Sequence, residues 1–306
     1  MKTAIFRIIC SALLVAFLAF DMLGQVEPQE IVSYVNRQID TFPCGKRDTS
    51  FSMNYLWGWF DVPNDAYRIA RCFDARGQDD SVIFYLNKAI LDGLIYRDSL
   101  LIYKDTFVMH YHKSIEFDYL QSSNRNTVQY DSLRMVLLSL KSKDQECRGY
   151  YSVKPTREEW EGQKRRDSLN QLALEKIIIS VGGWPGISEV GKKGSRIAGL
   201  IAVHADRNLS FQEECLGLMF EALKNKNINS RNFAMLYDRW LLAKTGEQLF
   251  GTQIERKDGV YVPKKLTFGR DTVGYLRDYF IFPPLEQSLK RVNDYYRTKK
   301  NRNAKN

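Results

Sequence analysis

The sequence predicts an α+β protein. Its C-terminal domain should be mainly helical with one β-hairpin, and its N-terminal part should carry a small antiparallel sheet. Three observations lead there. From Thr156 onward, apolar residues recur at helical spacing between clear starts and stops. Lys257–Asp258–Gly259 separates two short runs with the residue types of a tight hairpin turn. Between residues 82 and 112, short apolar or aromatic runs alternate with Asp92–Gly93, Asp98–Ser99 and Asp105–Thr106, which read as turns of a small meander. A helix over Val82–Leu94 is the competing reading of the first run.

Taken in order, residues 1–24 read as a secretory signal peptide. Lys2 and Arg7 precede the apolar run Ile8–Phe20, and the small residue Gly24 ends the segment. That places the protein in the periplasm or outside the cell. No later run is long and apolar enough to span a bilayer. Residues 25–150 form the N-terminal α+β region. It opens with a helix over Pro28–Asp40 and continues through a loop-rich stretch holding Cys44 and the aromatic run Asn54–Phe60. After the expected meander, a helix over residues 127–142 shows Val128, Leu133, Val136, Leu137 and Leu140 on one side. The polar stretch Lys141–Lys154 reads as the linker.

Residues 155–290 form the helical domain. Thr156 and Glu159 have capping-box spacing, so a helix should run to Val181 and stop at Gly182–Gly183. Trp184–Pro185–Gly186 is a turn. A second helix is predicted over about Lys193–Ala205. Ser210 and Glu213 form another capping-box pattern for a third helix, ending near Lys224. Ser230 should cap a fourth, which ends at Gly246. The hairpin strands are Gln248–Glu255 and Val260–Pro263, and helices near Thr272–Tyr279 and Leu285–Tyr296 follow. Residues 291–306 read as a basic flexible tail.

The chain has 306 residues, is 44% hydrophobic and 26% charged, and carries a net charge of +9. Globular domains have that balance. The positive charge does not indicate nucleic-acid binding, because it is concentrated at the C-terminus. From Lys290 onward there are seven Lys/Arg against the single Asp294, so the folded body is close to neutral. After the leader, Cys44, Cys72, Cys147 and Cys215 remain, an even number that permits disulfides in an oxidising compartment. Cys44 and Cys72 share one loop-rich stretch and are the expected pair. Cys215 lies in a helical stripe with Phe211, Leu218 and Ala222, as a buried thiol would. No CxxC pair exists, which excludes a zinc ribbon or a thioredoxin-type motif.

The candidate site starts from His204. Ile197, Leu200, Ile201 and His204 occupy one helix face, so the imidazole takes a place where an apolar side chain belongs. Ala198, Ala202 and Ala205 form a second, small-residue stripe that permits close helix approach. His204 is either a buried, hydrogen-bonded core residue or an acid, base or ligand at the end of a helix. Phe233–Ala243 contains only two charged residues, Asp238 and Arg239, in a segment apolar all round. Adjacent helical residues point about 100° apart, so the two cannot satisfy each other and each needs a partner elsewhere. His204, Asp206, Gln212, Thr252 and Gln253 are the available polar residues. A polar cluster inside a helical core follows.

The order of these residues also carries a resemblance. Gly183–Trp184–Pro185, Val190–Gly191, His204–Ala205–Asp206, Gln212, Asp238–Arg239 and Phe250–Gly251–Thr252–Gln253 match, in sequence, the motifs of an uncharacterised bacterial domain family. The similar stretch runs from about Asp167 to Leu285. The last motif has Phe250 where the family has tyrosine, and Ala202 and Val203 stand where many members carry glutamine. The resemblance implies no activity. It implies that the polar residues reached above from burial are the ones to examine.

Other chemistries fit less well. Gly186–Lys193 nearly matches a phosphate-binding loop, but Lys193 stands where a magnesium-holding hydroxyl belongs and a helix, not a strand, precedes it. On a strand, His110 and His112 would share a face as a zinc pair. A cysteine–histidine arrangement would need Cys215 and His204, which lie on separate helices. No GxSxG elbow exists. No metal or cofactor is expected. The function expected is an extracytoplasmic binding or structural module of unknown ligand, organised by His204, Asp238, Arg239 and Gln253. The alternative is a hydrolase with His204 as general acid or base, oriented by Asp206 or Asp238, and Arg239 holding an anionic group.

Overall fold

The structure is a computed structural model that describes residues 25–40, 65–91, 106–111, 128–145, 156–280 and 282–303. Its helices are α1 (Pro28–Asp40), α2 (Asp65–Asp74), α3 (Asp79–Leu91), α4 (Thr106–Tyr111), α5 (Asp131–Gln145), α6 (Arg157–Val181), α7 (Ile187–His204), α8 (Leu209–Lys224), α9 (Ser230–Thr245), α10 (Arg270–Tyr279) and α11 (Leu285–Asn303). Among the described residues there is one two-stranded antiparallel sheet, β1 (Ile254–Lys257) and β2 (Val260–Pro263), between α9 and α10. The fold is therefore mostly helical.

Among the described residues of the span 82–112, where a small sheet is expected, there is no strand; the described strands lie at 254–263. The first of those runs is α3, and residues 106–111 form α4. Burial explains the difference. Val82, Leu86 and Ala89 are buried at i, i+4 and i+7, a helical face that an alternating strand could not present. Helix α2 covers that face, and Gly77 in the left-handed region (φ 64°) makes the sharp turn between the two helices. Tyr111 then ties α4 to both, its hydroxyl donating to Asp74 (3.1 Å) and Asp79 (2.9 Å). His110 lies exposed on α4, so the strand geometry required for a zinc pair does not exist there. His112 lies outside the described residues, as do the leader, Cys44, Asn54–Phe60, residues 92–105 and Cys147.

Helix boundaries in the C-terminal part follow local chemistry. The capping box at α6 is formed: Glu159 N–H donates to the Thr156 hydroxyl, and Thr156 N–H donates to the Glu159 carboxylate. Gly182 closes α6 in the left-handed region (φ 74°). Two predicted caps are displaced. Asn208, not Ser210, caps α8 by accepting from Phe211 N–H, and Asn229, not Ser230, caps α9 by accepting from Asn232 N–H. In both places an asparagine lies a residue or two upstream of the serine, and its carbonyl reaches the free amide. Helix α7 begins at Ile187, earlier than predicted, and is kinked at Gly191 (φ 70°). Residues 186–193 thus open a helix and do not form a phosphate-binding loop.

The hairpin turn is as the sequence indicates. Lys257 pairs with Val260, and Asp258 and Gly259 both have positive φ, as a two-residue turn of this hand requires. Strand β1 is shorter than predicted, because residues 248–253 wrap around a buried carboxylate. Helix α11 continues to Asn303, so most of the segment expected as a flexible tail is helical. Tyr261 stacks on Tyr296 (centroids 4.5 Å apart), and Asn293 bonds both backbone groups of Tyr261.

One core joins segments that the sequence places on both sides of residue 150. Val26, Ile31, Val32, Tyr34 and Val35 of the first segment, and Leu137 of α5, are buried with Ile201, Phe220, Phe233, Tyr237 and Phe280. The Tyr237 hydroxyl donates to Val26 O (2.8 Å), and Tyr34 packs edge-on against Phe220 and Tyr279. Helix α5 lies against α7 and α6.

Candidate functional site

The site is built where the C-terminal ends of α5 and α7 meet the first half of α6. The Leu133, Leu137 and Leu140 stripe of α5 continues one step further to Asp144. That residue is fully buried and lies within the helix, not in a linker. His204 ends α7 and points its Nδ1 at the Asp144 carboxylate, 2.9 Å from Oδ1 and 3.0 Å from Oδ2. A carboxylate can only accept, so the contact places a proton on Nδ1. The Nε2 atom has no partner among the described residues and is not among the buried unpaired atoms, so it reaches solvent. The His204 side chain keeps 12% of its exposure, against 1% for Asp144.

Helix α6 supplies the floor. Gln163, fully buried, donates to the Asp144 backbone carbonyl (3.1 Å) and to Asp167 (2.9 Å), and Arg166 donates to Gln163 Oε1 (3.1 Å). Asn170, two turns beyond Gln163 on the same face, is also buried, and its Nδ2 has no partner. These groups form a polar wall inside a helical core.

Beside His204 lies a second, more open pair. Arg239 Nη1 donates to both Asp206 oxygens (3.0 and 2.8 Å) and to Val203 O (3.0 Å), the carbonyl of the peptide leading into His204. Gln212 reaches Ala202 O, Val203 O and Asp206 from 3.3–3.5 Å. Arg239 is one-third exposed and Asp206 more than half, so their ion pair is a rim contact worth about 0–1 kcal/mol. The expectation that Arg239 is buried is corrected, since its side chain leaves the bundle at the end of α7.

Asp238 turns the other way. Its carboxylate accepts from the backbone N–H groups of Leu249, Phe250 and Thr252, each at 2.7 Å. Burial raises the Asp238 carboxyl above its usual range, and these amides partly offset that. Arg277 holds the same turn from the other side, donating to Phe250 O (2.7 Å), Gly251 O (3.3 Å), Pro283 O (2.8 Å) and Ser288 Oγ (2.7 Å). Burial lowers Arg277 to about 10, which leaves it charged at neutral pH. Gly251 takes φ 68°, and a Cβ there would sit 3.1 Å from Leu285. Gln253 N–H donates to Gln248 Oε1 (2.8 Å), and Gln253 Nε2 donates to Thr252 Oγ1 (3.1 Å).

The predicted residues therefore divide into two groups. Asp206, Gln212 and Arg239 meet around the carbonyls that end α7, and His204, the last residue of that helix, turns its ring to Asp144. Asp238, Thr252 and Gln253 belong to a braced turn, and no hydrogen bond joins the two groups among the described residues. Asp144, Gln163 and Arg277 were not foreseen. Asp144 and Arg277 had a legible signal, a polar residue continuing an apolar stripe, as Arg277 does four residues after Val273; Gln163, flanked at helical spacing by Glu159, Arg166 and Asp167, had none. Cys215 is buried and free, and burial raises its thiol well above the ordinary value, so it is not the partner of His204 in catalysis. Cys72 is disulfide-bonded.

The fold and site define a helical domain with a polar-lined histidine at one end of its core. Residues 153–301, just under half of the chain, match the sequence model of a family of unknown function (DUF6624). No curated protein and no solved structure matches the chain.

Proposed function

We propose that the protein is an extracytoplasmic binding module whose ligand site is the rim formed by His204 and Arg239. The leader-like first 24 residues and the disulfide at Cys72 support the location. One observation carries the site. His204 is fixed through Nδ1 by a buried carboxylate, while its other nitrogen has no protein partner and meets solvent. An imidazole held in one orientation with a solvent-facing nitrogen offers a ligand a fixed hydrogen-bonding partner. Asp238, Thr252 and Gln253 fall outside this site and brace the turn after α9.

The test is modification of the native protein with diethyl pyrocarbonate, mapped by peptide mass spectrometry. His204 should react in the folded state, with exposed His110 as the internal reference. A His204 that reacts only after unfolding contradicts an open site.

A second reading is a hydrolase with His204 as general acid or base. The specific support is Asp144, which stands behind Nδ1 as a base-orienting carboxylate does, in the role first assigned to Asp206 or Asp238. Under this reading, His204→Ala and Asp144→Asn both abolish turnover of an ester or phosphoester panel. A panel that is turned over equally by both variants eliminates it.

A further inference from the structure

We infer that the ligand at the His204 rim is a small anion bearing a carboxylate or phosphoryl group, held by the unused edge of Arg239. This rests on the binding site proposed above and names its ligand class. All three protein contacts of Arg239 are made by Nη1 alone, so Nη2 and Nε are unspent on a side chain that is one-third exposed. A guanidinium edge with two parallel N–H groups matches a two-oxygen acceptor.

The surrounding acidic groups are already engaged. Asp144 is taken by His204, Asp206 by Arg239 and Gln212, and Asp167 by Gln163. Of these, Asp206 is offset by the Arg239 guanidinium itself. The groups left over at this corner are Arg239 Nη2 and Nε, which donate, and the solvent-facing His204 Nε2. Cations and acidic groups both stand near this corner. Glu161, on the first turns of α6, is held below its usual range chiefly by Lys164, with Arg207 and Arg165 adding to the effect. Arg207 follows Asp206 directly, so the corner after α7 faces these cations. An acceptor-rich ligand uses what the site offers, whereas a neutral polyol or a cation does not.

The experiment is a titration of the full-length, nitrogen-15-labelled protein at constant pH. His204 Nε2 is followed by long-range nitrogen–proton correlation and assigned by its loss in His204→Gln. The probes are inorganic phosphate, malonate and, as a neutral control, erythritol. Phosphate or malonate should shift His204 Nε2 saturably and erythritol should not. Arg239→Met should weaken the response at least about tenfold. If Arg239→Met does not fold, Arg239→Lys, which keeps the charge but loses the fork, should weaken it in the same sense. No response to either anion, an equal response to erythritol, or an undiminished response in the folded Arg239 variant overturns the inference. A His204 that reacts with diethyl pyrocarbonate but ignores anions sinks the ligand class and leaves the open site standing. A protected His204 sinks both.

Discussion

Asp144 and His204 lie 60 residues apart in the chain and meet with the imidazole Nδ1 held 2.9 and 3.0 Å from the two carboxylate oxygens. The pair joins the last turn of α5 to the last turn of α7. It also fixes which nitrogen of His204 faces outward.

The pair should be measurable as a coupling energy. Asp144→Asn should cost about 1–3 kcal/mol in urea unfolding, because a buried acceptor is replaced by a group that cannot take the Nδ1 proton in the same way. A double-mutant cycle with His204→Ala should recover at least about 0.5 kcal/mol of that as interaction. Purely additive losses would show that the contact does not hold the helices.

Asp238 should matter for stability and not for ligand binding. Asp238→Ala leaves two buried N–H groups and the part-buried Thr252 N–H without their acceptor and should cost about 3–5 kcal/mol. The pH dependence has a defined sign. Because its folded-state carboxyl is raised, the native protein keeps this proton to higher pH than the unfolded chain. The associated stability is complete below about pH 4 and declines as pH rises through the raised value. The stability difference between the wild type and Asp238→Asn, followed by denaturation from pH 4 upward, should therefore shrink. A difference that grows with pH would contradict the assignment.

Arg277 cannot be replaced by lysine without loss. Its fork reaches two backbone segments and Ser288, a geometry that a single ammonium cannot copy. Arg277→Lys should lower stability by about 2–4 kcal/mol. It should also increase hydrogen exchange at residues 249–252. A neutral result in both measurements would mean that Asp238 alone holds the turn.

The approach of α7 and α9 depends on Gly199. A Cβ there would lie 2.4–2.9 Å from the Asn232 side chain, whose amide donates to Arg196 O at 2.7 Å. Gly199→Ala should destabilise by about 1–3 kcal/mol despite its better helix propensity, and Gly199→Ala with Asn232→Ala should recover part of the loss. A stabilised single variant, measured by thermal unfolding, would rule out this close contact.

Cys215 should be silent in the folded protein. It is buried on every side, and the raised thiol leaves little thiolate at pH 8. Iodoacetamide should label its peptide only after denaturation, as read by mass spectrometry. Labelling in the native state would require local opening of α8.

Local chemistry in the sequence was enough to determine most of the C-terminal helices, their glycine stops and the Asp258–Gly259 turn. These features depend on residues within one or two turns of each other. The same local logic required Asp238 and Arg239 to seek different partners, and they do. Tertiary structure decided what the partners are. Asp144 reaches His204 only because α5 crosses α7, and no spacing rule encodes a crossing. The same holds for residues 82–91, whose apolar run fits a strand or a helix until α2 covers one face. Propensity is a weak, local preference, whereas burial of a complete face is worth several kcal/mol, so packing sets the outcome wherever local signals are evenly balanced.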